Sequence, residues 1–360
     1  MSGAPDSADG PVLVTGGAGF IGSNLADRLA SDGRDVIVLD ALARPGVEAN
    51  LDWLLRRHGN RVRHVRADVR DRDAVDAAVG EACAVFHFAA QVAVTTSLVD
   101  PREDFDVNLG GTFNVIDALR RRDGRVPVVF ASTNKVYGDL ADIALERTDN
   151  AYVPVDPTLR DHGVSEARPL DFHTPYGCSK GAADQYVLDA ARSFGIPSAV
   201  LRMSCIYGAR QRGTEDQGWV AHFLIRALAG QPITIYGDGC QVRDVLEIGD
   251  CVDAYLACWA RIEEVAGTAF NLGGGPENAV SLRQLVGRID ELVGRETAIV
   301  HADWRAGDQR YYVSDTGRAM DRLGLRRPLA WREGLERLAA WLEEERGGGG
   351  GGRPSVEAAE

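Results

Sequence analysis

Short apolar runs alternate along this chain with longer stretches in which apolar residues recur every three or four positions. Val12 to Thr15 is an apolar run, and Ser23 to Ala30 carries the helical period. Asp35 to Asp40, Val62 to Arg66 and Ala84 to Phe88 read as further strands, with a helical stretch from Asp71 to Val79 between the last two. A long helix is expected over Pro101 to Arg122, a strand over Val126 to Ser132, a helix over Thr174 to Phe194 and a strand over Pro197 to Cys205. Alternation of this kind predicts an α/β chain with a parallel sheet covered by helices on both faces. Beyond Tyr207 a smaller carboxy-terminal α/β region is expected: a helix over Gly218 to Ala229, strands over Ile233 to Gly239 and Gln241 to Leu246, a helix capped by Ser281, and an amphipathic helix over Trp331 to Glu345. Residues 10–205 are read as mainly cofactor-binding and 206–345 as mainly substrate-binding, with returns to the main sheet. Residues 1–9 and the glycine-rich 346–360 are read as disordered. Residues 139–173 are polar and proline-bearing, and are read as an irregular lid or interaction loop.

The first strand runs into Gly16-Gly-Ala-Gly19-Phe20-Ile21-Gly22. Gly16 suits the tight turn, Gly19 the close approach of a pyrophosphate, and Gly22 the packing of helix on strand; the helix amino terminus offers N–H groups to the phosphates. Asp40 closes the second strand, where a carboxylate accepts hydrogen bonds from the adenosine ribose and repels a 2′-phosphate. NAD is therefore expected over NADP, with Arg44 keeping NADP from full exclusion. Strand, glycines, helix, strand and acid in this order predict a Rossmann-type, doubly wound parallel sheet. Asp68, with Val69, falls where an adenine amino group could be held. Ala89, Ala90 and Gln91 follow the fourth strand, on the edge that faces cofactor in open α/β sheets. Asn108 is expected to contact the cofactor from the long helix, while His87 inside its strand reads as a core residue.

Tyr176 and Lys180 lie four apart in Tyr176-Gly-Cys-Ser-Lys180 and share a helix face. A phenol ordinarily loses its proton near pH 10. A neighbouring ammonium is expected to lower that value and let Tyr176 take a proton from a sugar hydroxyl as hydride leaves the same carbon.

The formal net charge of −13 argues against a nucleic-acid or anionic membrane partner, but a few local arginines can still build an anion pocket. The six cysteines form no CxxC pair and no metal-like cluster, so scattered thiols in a reducing, cytoplasmic setting are expected, with no metal. No secretory signal and no membrane-length apolar run is read in the chain.

Gly16 to Gly22, Ser132-Thr133 and Tyr176 to Lys180 together resemble the extended short-chain dehydrogenase/reductase superfamily, specifically its sugar-nucleotide epimerases and dehydratases. The resemblance runs from about Pro11 to about Glu345. Ser132-Thr-Asn-Lys-Val-Tyr-Gly138, Pro169 to Gly181, Arg202 to Gly208 and Gly213 to Trp219 are more specific, and are similar to the CDP-paratose (CDP-tyvelose) 2-epimerase branch. The resemblance implies Thr133, Tyr176 and Lys180 as the catalytic set, with Ser132 and Met203 joining the cofactor contacts. It implies substrate contacts from Thr133, Asn134, Cys205 and Arg210, and from Val220, Tyr236 and Asp308. Arg243 and Arg305 match arginines that hold the nucleotide diphosphate, a task suited to a planar guanidinium. Dehydratases of this superfamily carry an Asp-Glu pair after the active-site threonine, whereas this chain has Asn134-Lys135, which disfavours loss of water. Ala209 and Arg212 depart from the branch's usual pattern and leave base and sugar open.

The implied reaction is transient oxidation at C2 of a CDP-sugar to a 2-keto sugar, and return of the hydride to the opposite face. A C4-epimerase on a UDP-, GDP- or CDP-sugar is the alternative; a net sugar-nucleotide dehydrogenase and a non-catalytic nucleotide sensor stand behind it. Helices 101–122 and 174–194 resemble those that pair subunits in this superfamily, so a homodimer or homotetramer is expected.

Overall fold

A computed structural model describes residues 10–348 apart from 123–124 and 306. Residues 1–9 and 349–360, read as disordered from the sequence, lie outside the described residues. The remainder of the expected tail does not match that reading, because the last helix runs Trp331–Gly348 and so takes in its first residues.

Seven parallel strands form the main sheet. From one edge they are Thr268–Leu272, Ser198–Met203, Val128–Thr133, Ala84–His87, Val12–Thr15, Val36–Leu39 and Val62–Val65. Valine, leucine and isoleucine dominate these strands, and most are fully buried because helices cover both faces. One face packs against Phe20–Ser31, Val47–His58 and Ile248–Ala260, with Leu25, Leu54, Tyr255 and Trp259 filling the core. The other packs against Arg72–Glu81, Gly111–Arg121 and Thr174–Phe194 through Val75, Leu119 and Val187. Strand order reverses between Val12–Thr15 and Ala84–His87, so the crevice at their carboxyl ends is where such a sheet binds ligand.

The smaller region has its own core, in which Val220, Phe223, Ile233, Leu285 and Leu335 meet. Val242–Glu247 pairs with Ala279–Ser281, Tyr311–Tyr312 and Cys205–Tyr207, while Ile233–Tyr236 pairs with Ile299–Ala302. Leu282–Val293 begins with a full capping box between Ser281 and Gln284.

Two expectations are corrected. The long helix is interrupted: Pro101–Phe105 passes through a wide π turn, Asp106–Gly110, before Gly111–Arg121 resumes the α geometry. Residues 139–173 are not irregular throughout, and they do not cover the cleft. They contain the antiparallel pair Leu145–Arg147 and Tyr152–Pro154 and the short helix Pro157–His162. Leu140, Ile143 and Val164 pack there with Tyr137 and Tyr312, and none of the segment's residues lines the cleft described below.

Candidate active site

A cleft of about 990 Å³ opens along the carboxyl ends of the main strands and continues between the two regions. At its closed end the backbone sets the shape. Gly16 has φ +68°, and a Cβ there would lie 2.7 Å from the Ala89 nitrogen. A Cβ at Gly22 would lie 2.4 Å from the Gly16 carbonyl oxygen, whereas one at Gly19 would meet only that oxygen, at 3.1 Å. The helix Phe20–Ser31 starts here with no side-chain cap and no acid in its first turn, so its amino terminus suits an anion. Phe20, Ile21, Ala90 and Met203 line the same wall.

Asp40 lies in the cleft and accepts from the backbone nitrogens of Ala18 (2.9 Å) and Leu42 (2.8 Å). It thereby ties the second strand to the glycine turn, and each oxygen keeps a further lone pair for a ribose hydroxyl. Asp68 also lines the cleft, but Arg70 grips both its oxygens at 3.0 and 2.7 Å and holds the carboxyl below its usual range through these hydrogen bonds. Val69 is buried against Gly111. This closed end, with its glycine turn, uncapped helix start and carboxylate, fits a dinucleotide.

Asn108 is not a cleft residue. It is 1% exposed, accepts from the Gln91 backbone nitrogen at 2.8 Å, and donates to the Gln91 carbonyl oxygen (3.0 Å), Asp104 (3.1 Å) and Ser179 (3.1 Å). The π turn sets it behind Gln91, where it fixes the strand-end loop instead of touching a ligand. Asp104 is fully buried and accepts from Ser179 at 2.5 Å; burial raises its pKa. Sequence reading missed this carboxyl, although Ser179 lies inside the Tyr-Gly-Cys-Ser-Lys stretch.

Thr133, Tyr176 and Lys180 converge where the strand Val128–Thr133 meets the helix Thr174–Phe194. All three are buried, at 8%, 8% and 3% exposure. The expected acidified phenol is not found. Burial pushes Tyr176 up to about 12, offset in part by a hydrogen bond with Thr133 and not by Lys180. The lysine instead donates to the Ala131 carbonyl oxygen at 2.6 Å and lies 4.2 Å from the centre of the Phe130 ring. Burial lowers its pKa to about 7, against the attraction of Asp184 and Asp104. Asp184 is gripped by Arg202 through two contacts of 2.9 Å and accepts from Ser132 at 2.8 Å, so the Ser132 hydroxyl faces away from ligand. Asp184 lies one helical turn beyond Lys180, a spacing that could have been read as support.

His87 is a core residue, as read from the sequence. Thr15 meets its Nδ1 at 2.6 Å and Thr112 its Nε2 at 3.0 Å. The Thr112 hydroxyl donates to the Asn108 carbonyl oxygen, which assigns the ring proton to Nε2. Burial, with the Lys180 charge, lowers its pKa to about 3 and keeps it neutral.

At the open end, Arg243 pairs with Asp308 at 2.6 Å, and Arg305 with Asp216 at 3.0 Å. Arg305 stacks 3.8 Å from the Tyr236 ring, whose hydroxyl donates to Glu215. Asn134 donates to Gln309 at 3.3 Å, Cys205 accepts from the Trp219 indole at 3.3 Å, and Val220 lines the floor. Arg210 lines the cleft with a φ of +68°, and its guanidinium rests on the Trp53 ring (3.5 Å) and donates to Asn24 (3.2 Å). Residues 209–217 then cross the cleft mouth: Asn24 and Asn50 donate to the carbonyl oxygens of Ala209 and Arg210, and Gln217 accepts from Arg44 and donates to the Val92 carbonyl oxygen. Among the described residues no cluster of metal-ligating side chains occurs and no helix is long and apolar enough to cross a membrane.

Known proteins are similar to this chain in sequence and fold. The NAD dependent epimerase/dehydratase family model matches residues 12–273. The CDP-paratose 2-epimerase of Salmonella typhi is 40% identical over 339 residues, covering 92% of this chain and 98% of that protein. A dTDP-glucose 4,6-dehydratase of Streptomyces antibioticus is 32% identical over 346 residues, 93% of each chain. The crystal structure of the Thermus thermophilus UDP-glucose 4-epimerase in complex with NAD superposes with a TM-score of 0.77 at 32% identity, covering 92% of this chain and 99% of that one. The chain belongs to the NAD dependent epimerase/dehydratase family, and NAD is the cofactor that its cleft fits.

Proposed function

We propose that this protein is a sugar-nucleotide 2-epimerase of the CDP-paratose to CDP-tyvelose type. The observation that carries the reading is the near-full-length likeness to a CDP-paratose 2-epimerase, on a chain that keeps Thr133, Tyr176 and Lys180 and has Asn134-Lys135 where a dehydratase needs acids. Gly16 to Gly22, Asp40 and the loop Ala89 to Gln91 hold the dinucleotide, while Arg243 and Arg305 hold the diphosphate of the sugar nucleotide. NAD, when bound, supplies a hydride acceptor that later gives the same hydride back, and a positive charge while oxidised.

Tyr176 takes the proton of the C2 hydroxyl as the C2–H bond breaks, so the C2–O bond becomes a carbonyl. Thr133 hydrogen-bonds the same oxygen and keeps it in line with the phenol. A phenol that burial holds near 12 in the protein alone needs a nearby positive charge to act as base at neutral pH. The oxidised dinucleotide would supply one, and Lys180, one turn along the same helix, would share the work once its ammonium leaves the Ala131 carbonyl oxygen. The sugar then presents its other face, hydride returns to C2, and Tyr176 gives the proton back to the oxygen. The stereocentre inverts with no net oxidation.

Turnover of CDP-paratose deuterated at C2 tests this scheme. Deuterium is expected to remain on C2 of the CDP-tyvelose formed; exchange into solvent would mean proton abstraction through an enol and overturn it. A C4-epimerase is the second reading, favoured by the fold shared with UDP-glucose 4-epimerases, and inversion at C4 in the same product spectra would establish it. We further propose a cytoplasmic homodimer or homotetramer joined through the long helices, because Phe105, Phe113 and Tyr186 on them are about half exposed.

A further inference from the structure

Lys135 lies in the cleft wall two residues beyond Thr133, on the tight turn Asn134–Tyr137, and its backbone nitrogen donates to the Thr133 hydroxyl at 3.2 Å. Its ammonium reaches towards the open end. It donates to the Gly307 carbonyl oxygen at 3.2 Å and lies 4.0 Å from Asp308, too far for a full hydrogen bond. Asp308 is already taken by Arg243 at 2.6 Å. Two cations thus share one carboxylate in a wall where the Lys135 side chain is only 21% exposed. With Asp308 committed to Arg243 and the Gly307 carbonyl its one hydrogen-bond acceptor among the described residues, the Lys135 ammonium keeps donors for an anion.

The chemistry of the sugar says which anion. C2 adjoins C1, the carbon that bears the diphosphate, whereas C4 lies across the ring from it. An enzyme that brings C2 to Thr133 and Tyr176 must therefore bring the sugar-side phosphate close to the same turn. Lys135 is the cation on that turn.

We propose that Lys135 is a substrate-binding, position-determining residue: its ammonium grips the phosphate next to the sugar and thereby sets C2, not C4, over the catalytic hydroxyls. The inference deepens the 2-epimerase reading and rests on it. Arg243 and Arg305 anchor the nucleotide from the smaller region, and Lys135 links that anchor to the catalytic turn. When the phosphate engages Arg243, Asp308 is free to turn to Lys135 and keep it charged.

The test is calorimetric binding of CDP and CMP to the NAD-loaded wild type and to its Lys135→Met and Lys135→Arg variants. CDP carries the sugar-side phosphate and CMP lacks it. Lys135→Met is expected to weaken CDP about tenfold or more, the scale of one charged hydrogen bond, and to leave CMP within about twofold. Lys135→Arg should restore most of the CDP affinity. Equal CDP affinity in the wild type and Lys135→Met would overturn the proposal, and the unchanged CMP affinity reports that the variant is folded.

A second readout needs no variant. The charged and titratable groups facing Lys135 are Arg243, which with desolvation lowers its pKa to about 8, and Asp308, Asp139 and Cys205, which oppose that shift. Wild-type CDP affinity should therefore fall as pH rises through about 8. The fall should be absent in Lys135→Met; its persistence there would also overturn the assignment. The 2-epimerase reading itself fails separately, in the wild-type product spectra, whatever Lys135 does to CDP.

Discussion

Around the glycine turn, backbone meets backbone. The nearest neighbours of a Cβ on Gly22 would be the Gly16 oxygen and the Gly17 Cα, at 2.4 and 2.7 Å, and neither can swing aside. Across the cleft, the cations proposed to meet the diphosphate are paired with carboxylates: Arg243 with Asp308, and Arg305 with Asp216, over the Tyr236 ring. The first wall is a mould, finished before any ligand arrives. The second is a set of ion pairs that, under the proposed function, exchange partners when a diphosphate binds. A cofactor that is kept suits the mould, and a substrate that comes and goes suits the exchangeable pairs.

Substitutions can break this contrast at three strengths. Tyr176→Phe lies at the seam of the two walls and removes the proton acceptor of the first half-reaction and the proton donor of the second. Turnover should fall by about two to four orders of magnitude, with bound NAD, measured after release by denaturation, unchanged. Gly22→Val attacks the mould. Forcing a branched side chain against fixed backbone costs about 1–3 kcal/mol, so the melting temperature should drop and the protein should emerge from gel filtration without NAD. Asp216→Asn attacks an exchangeable pair, and the sign reverses. Arg305 loses a competitor that is half exposed, so KM for the CDP-sugar should fall, by no more than about fivefold. A rise in KM would mean that Asp216 supports Arg305 instead of competing with substrate.

The mould was legible in the sequence because its parts are consecutive. Gly16, Gly19, Gly22 and Asp40 stand in an order that only a strand, a turn, a helix and a second strand can use. The exchangeable wall was legible only through resemblance, since Arg243 and Arg305 lie in different parts of the chain and neither spacing nor period brings them together. Errors arose where a local detail of the backbone decides a side chain's direction. A π turn puts Asn108 behind Gln91. The four-residue spacing put Tyr176 and Lys180 on one face but could not show that the ammonium rests on Ala131 and Phe130. The segment 139–173 was misread because Leu140, Ile143, Leu159 and Phe172 are dispersed among polar residues and follow neither a helical nor a strand period.

The crossing of residues 209–217 over the cleft mouth bears on how the protein answers to metabolism. Asn24 and Asn50, on helices of the cofactor side, hold a segment that leads into the helix Trp219–Leu228 of the smaller region. Under the proposed function, a dinucleotide in the cleft would trade places with the surrounding pool only when that strap lifts. Flux through an epimerase built this way would follow the supply of sugar nucleotide, insulated from swings in the ratio of oxidised to reduced coenzyme.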